Sequence, residues 1–318
     1  RRAQVSVASV SRALNGLDNV SDQTRARVAD AVRELGYVPH AGARSLSLAR
    51  SNAIGVVLPD LHGEFFSEIV RGMDREASSR GYLLLLSNMH GRKEQAVTAL
   101  HAMRGRVDGL IVMAPHLSEA ELAQALPARL PAVLINTRAE ENGRPAIHLD
   151  NAAGAEAVVE HLIARGRTRL VHIAGPPGNL DAQERAEAFR RTCGKHRVEC
   201  EIVQGDFAEE SGAAAIDALL RSGRDFDAVF AANDNMALGA LQALRAAGKS
   251  VPEDVAVAGF DDIPLAKLVG LTTVRVRIAE LGTRALERLL GILSDEDKGG
   301  DEMHAPELVI RSTTDPTR

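Results

Sequence analysis

From residue 52 onward, short unbroken runs of Val, Ile and Leu alternate with longer amphipathic stretches, and this rhythm limits the possible folds most. The apolar runs fall at 53–58, 82–87, 108–113, 132–136, 170–174, 201–203, 228–231 and 255–259. They are continuous, not alternating, as strands covered on both faces of a parallel sheet are. Between them, 64–80, 94–104, 119–126, 153–165, 182–196, 209–221 and 235–247 have helical patterning. Alternation of this kind predicts an α/β body with right-handed crossovers. The longest apolar run, Leu83 to Leu86, has the length of a buried strand. It falls far short of the ~20 residues that cross a bilayer, so no membrane partner is expected.

The rhythm runs twice, with a joint near 147–151. The segments VDGLIV (107–112) and FDAVFA (226–231) look like one strand in two half-sized units. Two lobes with a cleft between them follow, and such clefts hold ligands. A single large sheet is the alternative. Aromatics make up 3% of the chain, so the core must be aliphatic and an aromatic in a pocket would stand out.

Residues 1–50 differ. They show almost no strand character and carry eight Arg against four acids, whereas the whole chain has a net charge of −5. A basic head on an acidic body implies that the head alone meets a polyanion. Ser6 to Asn15 reads as a short helix with Ser6 as N-cap. The next helix has Ser21 or Asp22 as N-cap, apolar Val28, Ala31, Val32 and Leu35 at helical spacing, and Gly36 as terminator. Residues 40–50 would be a marginal helix alone.

Several function classes find no footing. The GKS of Gly248 to Ser250 lacks the earlier Gly of a phosphate loop and follows a helix, so a helix-ending Gly accounts for it. No nucleophile-elbow, dinucleotide or zinc-protease motif occurs, and the ten His lack ligand spacing. Asp261 and Asp262 follow a strand as metal ligands could, but Asp262 reads better as a cap for the next turn. No enzyme activity, cofactor or metal is expected. Cys193 and Cys200 form no disulfide framework, and Arg1 to Gln4 lead into no signal-peptide core, which points to the cytoplasm.

The segments VSVASVSRALNG and VSDQTRARVADAVRELGYVPHAGARSL together resemble the DNA-binding head of the LacI/GalR family of bacterial transcription regulators. The likeness continues through LDNAAGAEAVVEHLIARG, ANDNMALGAL and VPEDVAVAGFDDIPLA to LTTVRV, in family order over essentially the whole chain. It implies a two-lobed body of the type I periplasmic-binding-protein kind, with two parallel Rossmann-like sheets, behind an all-α helix-turn-helix head. The implied domains are a head over 1–39, a hinge over 40–51 and a body over 52–318. Lobe 1 would take about 52–149 plus 275–298, and lobe 2 about 150–274 plus 305–318. The family's first head helix would precede Val5 and Ser6, where only four residues stand, so the head reads as shortened.

The implied function is effector-controlled operator binding by a homodimer or larger assembly, most simply repression. A transport-type solute-binding protein is the alternative; it would carry no basic helical head. In the recognition helix, Val7 and Ala8 take the base-reading positions, where apolar side chains can touch a thymine methyl. Arg12 would read the O6 and N7 of guanine. Ser6, Ser9, Ser11 and Asn15 would contact phosphate, which positions without specifying. In the hinge, Leu46 matches the leucine that wedges into the central base step, flanked by Ala43 and Arg44. The effector would lie between Phe66, at the end of the first strand, and Phe207 on a second-lobe loop. Arg185, Asp150 and Asp234 match its polar contacts, with Asn136, Arg138, Asn179 and Asp181 at the rim. Taken singly, each Phe reads as core and each Asp as a helix cap, Asp234 above all. An Asp, Arg and Asn pocket with aromatic walls suits a sugar or polyol first and a nucleoside second. After FDDIPLA the family's longer loop is replaced by KLVG.

Overall fold

A computed structural model describes residues 2–15, 19–37, 50–137, 143–297 and 299–317. The expected hinge residues Ala43, Arg44 and Leu46, and the expected rim residue Arg138, lie outside the described residues.

The head contains α1 (Val7–Leu14) and α2 (Asp22–Leu35). Ser6 caps α1 by accepting from the Ser9 amide at 3.1 Å, and Ser21 caps α2 by accepting from Thr24 at 3.3 Å. These satisfy donors that a helix start leaves without partners. Gly36, at φ +56°, ends α2 in the left-handed conformation that glycine takes freely. Val28 is buried beneath α1, while Leu35 at the apolar helix's end remains exposed.

The first lobe holds a parallel sheet in the order β11-β5-β4-β3-β1-β2, with β1 (Ala53–Leu58), β2 (Leu83–Asn88), β3 (Gly109–Val112), β4 (Ala132–Ile135), β5 (Ala146–Leu149) and β11 (Glu302–His304). Consecutive apolar residues feed opposite faces. Ile54, Val56 and Leu58 enter one core layer, while Ala53 and Val57 enter the other. Here α3 (Glu64–Ser79) and α11 (Ile278–Leu293) cover one face, and α4 (Lys93–Ala102) and α5 (Glu119–Ala125) the other. The Leu83 to Leu86 run is not buried as its length suggests. It forms the edge strand β2, and Leu83, Leu85 and Leu86 are exposed because no strand lies beyond it.

The second lobe holds a parallel sheet in the order β7-β6-β8-β9, from β6 (Arg169–Ala174), β7 (Glu199–Gln204), β8 (Ala228–Ala231) and β9 (Ala256–Ala258). Its helices are α6 (Asn151–Ala164), α7 (Leu180–His196), α8 (Glu209–Arg221) and α9 (Asp234–Ala246). Gly248, at φ +74°, follows α9, which absorbs the GKS segment into a helix end. A short α10 (Pro264–Leu268) precedes β10 (Thr273–Arg275), which pairs antiparallel with β12 (Glu307–Val309). Bridges from Ala258 to Thr272 and from Asp261 to Arg275 tie this pair to β9. The chain therefore passes between the sheets three times: after β5, between β10 and α11, and between β11 and β12.

The repeated VDGLIV and FDAVFA segments are equivalent strands with equivalent clamps. Asp108, just before β3, accepts from the amides of Ser51 at 2.7 Å and Asn52 at 2.9 Å, at the start of β1. Asp227, just before β8, accepts from Thr168 and Arg169, each at 3.0 Å, at the start of β6. Each lobe also has one helix pair in backbone contact through reciprocal glycines. A methyl group at Gly72 of α3 would overlap the Ala279 carbonyl, and one at Gly282 of α11 the Ile69 carbonyl. In the second lobe, Gly212 of α8 meets the Met236 carbonyl and Gly239 of α9 that of Glu209.

Candidate functional site

In the head, Val7, Ala8 and Arg12 are exposed on α1, and Val7 shows 87% of its surface. Positions 7, 11 and 15 recur at four-residue spacing beside 8 and 12, so these side chains share one helix face. Ser11 and Asn15 are half-buried there, joined by a 3.4 Å bond from Asn15 Nδ2 to Ser11 Oγ. The face thus presents an apolar start, a basic last turn and hydroxyl donors between them.

The body has a cavity of about 490 Å³ between its lobes. Nearly every lining segment follows the carboxyl end of a strand: Pro59 after β1, His90 after β2, Met113 and Pro115 after β3, and Asn136 after β4. From the other side come Pro176 after β6, Phe207 after β7, Asn233 after β8 and Asp261 after β9. Carboxyl ends of parallel strands form the ligand crevice of open α/β sheets. The rims are joined by bonds from Leu180 N to Pro115 O and from Leu265 N to Glu64 Oε2, each 3.0 Å.

The second-lobe wall is a buried ionic floor. Arg185, in the second turn of α7, donates from Nε to Asn151 Oδ1 at 2.8 Å and from Nη1 to the Ala232 carbonyl at 2.6 Å. Its guanidinium lies 3.7 Å over the Phe260 ring, and Nη1 is 3.7 Å from Asp261 Oδ1. Asn151 donates onward to Asp181 Oδ1 at 2.8 Å. The Asn136 amide reaches the same Asp181 from the first lobe, while its oxygen accepts from the Leu149 amide at 2.9 Å. Burial pushes both acids above their ordinary range, Asp261 to about 7, against the opposing pull of Arg185. No hydrogen bond reaches the Asp261 carboxylate from the described residues, although the residue is only 6% exposed.

The first-lobe wall is of another kind. Phe65 and Phe66 meet edge to face, with centroids 5.2 Å apart. Phe66 lies in the first turn of α3, beyond the loop after β1, and not at the strand end expected for it. His62, His90 and His116 complete this side. The His116 Nε2 is buried with no partner among the described residues, and burial lowers the pKa of its ring.

Of the expected effector residues, Phe66, Asn136, Asn179, Asp181, Arg185 and Phe207 line the cavity. Asn179 also caps α7 through the Ala182 amide at 3.0 Å. Asp150 and Asp234 lie outside the lining. Asp150 caps α6 by accepting from Ala153 at 2.9 Å. Asp234 is fully buried, accepting from Ile263 N at 2.9 Å and Thr273 Oγ1 at 2.5 Å, so it braces the loop that carries Asp261. The α9 cap itself is Asn233, which accepts from the Met236 amide at 3.0 Å. Asp262 caps nothing either; it binds Arg275 Nε at 2.7 Å and Arg311 Nη2 at 2.5 Å. Asp261 and the three histidines were absent from the expected site. A carboxylate three residues beyond the end of β9 was the signal for Asp261. Among the described residues, no cluster of three or more His, Cys, Asp or Glu could hold a metal ion, and no helix is long and apolar enough to cross a membrane.

Comparison with known proteins covers both parts. Residues 1–40 match the model for bacterial regulatory proteins of the lacI family, and 159–314 match the periplasmic binding protein-like domain. A ribose operon repressor of Halalkalibacterium halodurans is 34% identical over 99% of this chain and 95% of its own length. The HTH-type transcriptional repressor CytR of Escherichia coli is 36% identical over 98% and 94%. Among solved structures, the lac repressor dimer bound to operator and the anti-inducer ONPF has a TM-score of 0.88 at 30% identity, covering 98% of this chain and 96% of that one. A regulator from Enterococcus faecium with bound ribose gives 0.75 at 25%, covering 84% and 100%.

Proposed function

Because the chain belongs to the lacI family of bacterial regulatory proteins, we propose that it represses transcription from an operator whose affinity is set by a small molecule in the cleft. It is a DNA-binding transcription regulator; the solute-binding alternative does not account for a head that matches the family model. The observation that carries the reading is one similarity running unbroken through head and cleft-bearing body. Its relatives are transcriptional repressors, and a role without catalysis, in the cytoplasm, fits the same reading.

The division of labour follows the residues. The head over 1–39 reads DNA with Val7, Ala8 and Arg12, while Ser6, Ser11 and Asn15 hold phosphate. The hinge over 40–51 places Ala43, Arg44 and Leu46 at the operator centre. The lobes of the body close on the effector through Arg185, Asp181, Phe66 and Phe207, and Asp261 joins them in place of Asp150 and Asp234. The exposed edge leucines of β2 suit a face covered by a second copy, and two copies read a pseudo-palindrome. A sugar or sugar-like effector is favoured by the ribose-bound regulator among the similar structures, with a nucleoside second.

Selection of binding sites from randomised duplexes tests the reading. A two-fold symmetric site with a dissociation constant of about 10⁻⁸ M or tighter is expected. Affinity for it should change at least tenfold with one sugar, polyol or nucleoside. Arg12→Ala should relax selection at one base pair, at a cost of about 1–3 kcal/mol. Binding without sequence preference would sink the proposal, and a uniform loss across all sequences would remove Arg12 from base reading.

A further inference from the structure

We propose that the cleft admits an unphosphorylated, hydroxyl-bearing effector and rejects the phosphate ester of the same molecule, an inference that rests on the effector-binding reading above. The described lining residues include four carboxylates, those of Asp60, Asp181, Asp206 and Asp261, and one guanidinium, that of Arg185. Arg138, outside the described residues, would still leave carboxylates in excess.

The imbalance is sharpest at the floor. Arg185 has committed Nε to Asn151 and Nη1 to the Ala232 carbonyl, and its flat face to Phe260. It leaves Nη2 as a donor without a hydrogen bond among the described residues. Asp261 lies beside it, buried and without a hydrogen-bond donor among the described residues. A donor next to an acceptor is what a hydroxyl satisfies, because it can give and take a bond at once. A phosphate near pH 7 has acceptors in excess and brings about −1.5 to −2 charge. Against the carboxylate of Asp181, and that of Asp261 as it ionises above about pH 7, it would be repelled with little water to screen it.

The positive helix ends that phosphates favour are already answered by acids. The first turns of α3, α7, α8 and α9 carry Glu64, Asp181, Glu209 with Glu210, and Asp234 respectively. The opposite wall supplies no guanidinium or ammonium among the described lining residues, and burial lowers the pKa of its His116. An unpaired Nε2 there suits a further hydroxyl.

Isothermal titration with matched pairs decides the matter: ribose and ribose 5-phosphate, glucose and glucose 6-phosphate, adenosine and adenosine 5′-monophosphate. In any pair that binds, the ester should be weaker by about 100-fold or more. Asp261→Asn should narrow that gap by about fivefold or more, whereas a merely structural role would weaken both members alike. Asp206→Asn is the second variant should the first fail to fold. An ester that binds as tightly as its parent overturns the inference. If no parent binds, the sugar and nucleoside reading fails, and inorganic phosphate then decides the charge rule. Saturable thermal stabilisation by phosphate, lost in Arg185→Lys, overturns the rule; no shift upholds it.

Discussion

In the first lobe Asp108 clamps the start of β1, and in the second Asp227 clamps the start of β6 in the same way. Each lobe also fastens one helix pair through reciprocal glycines. At the carboxyl ends of the strands this likeness stops. The second lobe sets a buried network of Asn151, Asp181, Arg185 and Asp261 there, and the first sets Phe65, Phe66 and three histidines. The frame is duplicated, whereas the chemistry belongs to the loops. The second-lobe groups hold one another through Asn151 and the Ala232 carbonyl, so binding there costs little rearrangement. The first-lobe groups have fewer mutual bonds and are the ones free to adjust.

This contrast can be broken in stages. The largest effect is expected from Arg185→Ala, which leaves two buried acids without their cation. It should cost about 3–5 kcal/mol in urea unfolding and abolish the effector response. Retained induction would remove Arg185 from the pocket. Next come Gly72→Ala and Gly239→Ala, one in each lobe. Each should cost about 1–3 kcal/mol through overlap with a backbone carbonyl. Equal costs would support the shared frame; a harmless change in one lobe would break it.

The pH dependence is smaller. Asp261 binds its proton more tightly in the folded chain, with a pKa of about 7 against an ordinary value of 3.8. Its contribution is therefore fully present below the unfolded value and is lost as pH rises through about 7. Asp261→Asn should flatten the fall in Tm over pH 5–8, gaining about 1–2 kcal/mol at the alkaline end. An unchanged slope would show that Asp261 does not titrate there. The smallest effect is expected for Phe66→Ala, about 1 kcal/mol or roughly fivefold in effector affinity, with stability little changed. A larger loss than that of Arg185→Ala would reverse the ranking of the two walls.

The frame could be read from the chain because its signals are local. Continuous apolar runs announce covered strands, and Ser6, Ser21 and Gly36 mark helix limits by hydrogen bonds within four residues. The return crossings could not, because β10, β11 and β12 are three residues each and gain their pairing from distant segments. At the site, the family resemblance placed Phe207, Asn136 and Arg185 near the cleft, which position after a strand alone would not have singled out. The choice between Asp234 and Asp261 turns on backbone angles that composition does not display. Asp261 has φ +113°, while Asp234 already lies in α9 with its carboxylate turned to Thr273. Burial misled in one place, since Leu83 to Leu86 has the composition of a central strand and the position of an edge.

The three passages of chain between the sheets also decide what kind of signal the cleft can send. Three legs set side by side resist sliding, because any translation would stretch all of them, and yield most readily to rotation about the line that joins them. An occupied cleft is then registered chiefly as one angle. The chain toward the head leaves the first lobe at Ser51, held by Asp108 at the end of the sheet opposite the cleft. The lobe is therefore a lever arm, and a small turn near the effector becomes a larger displacement where the head is attached.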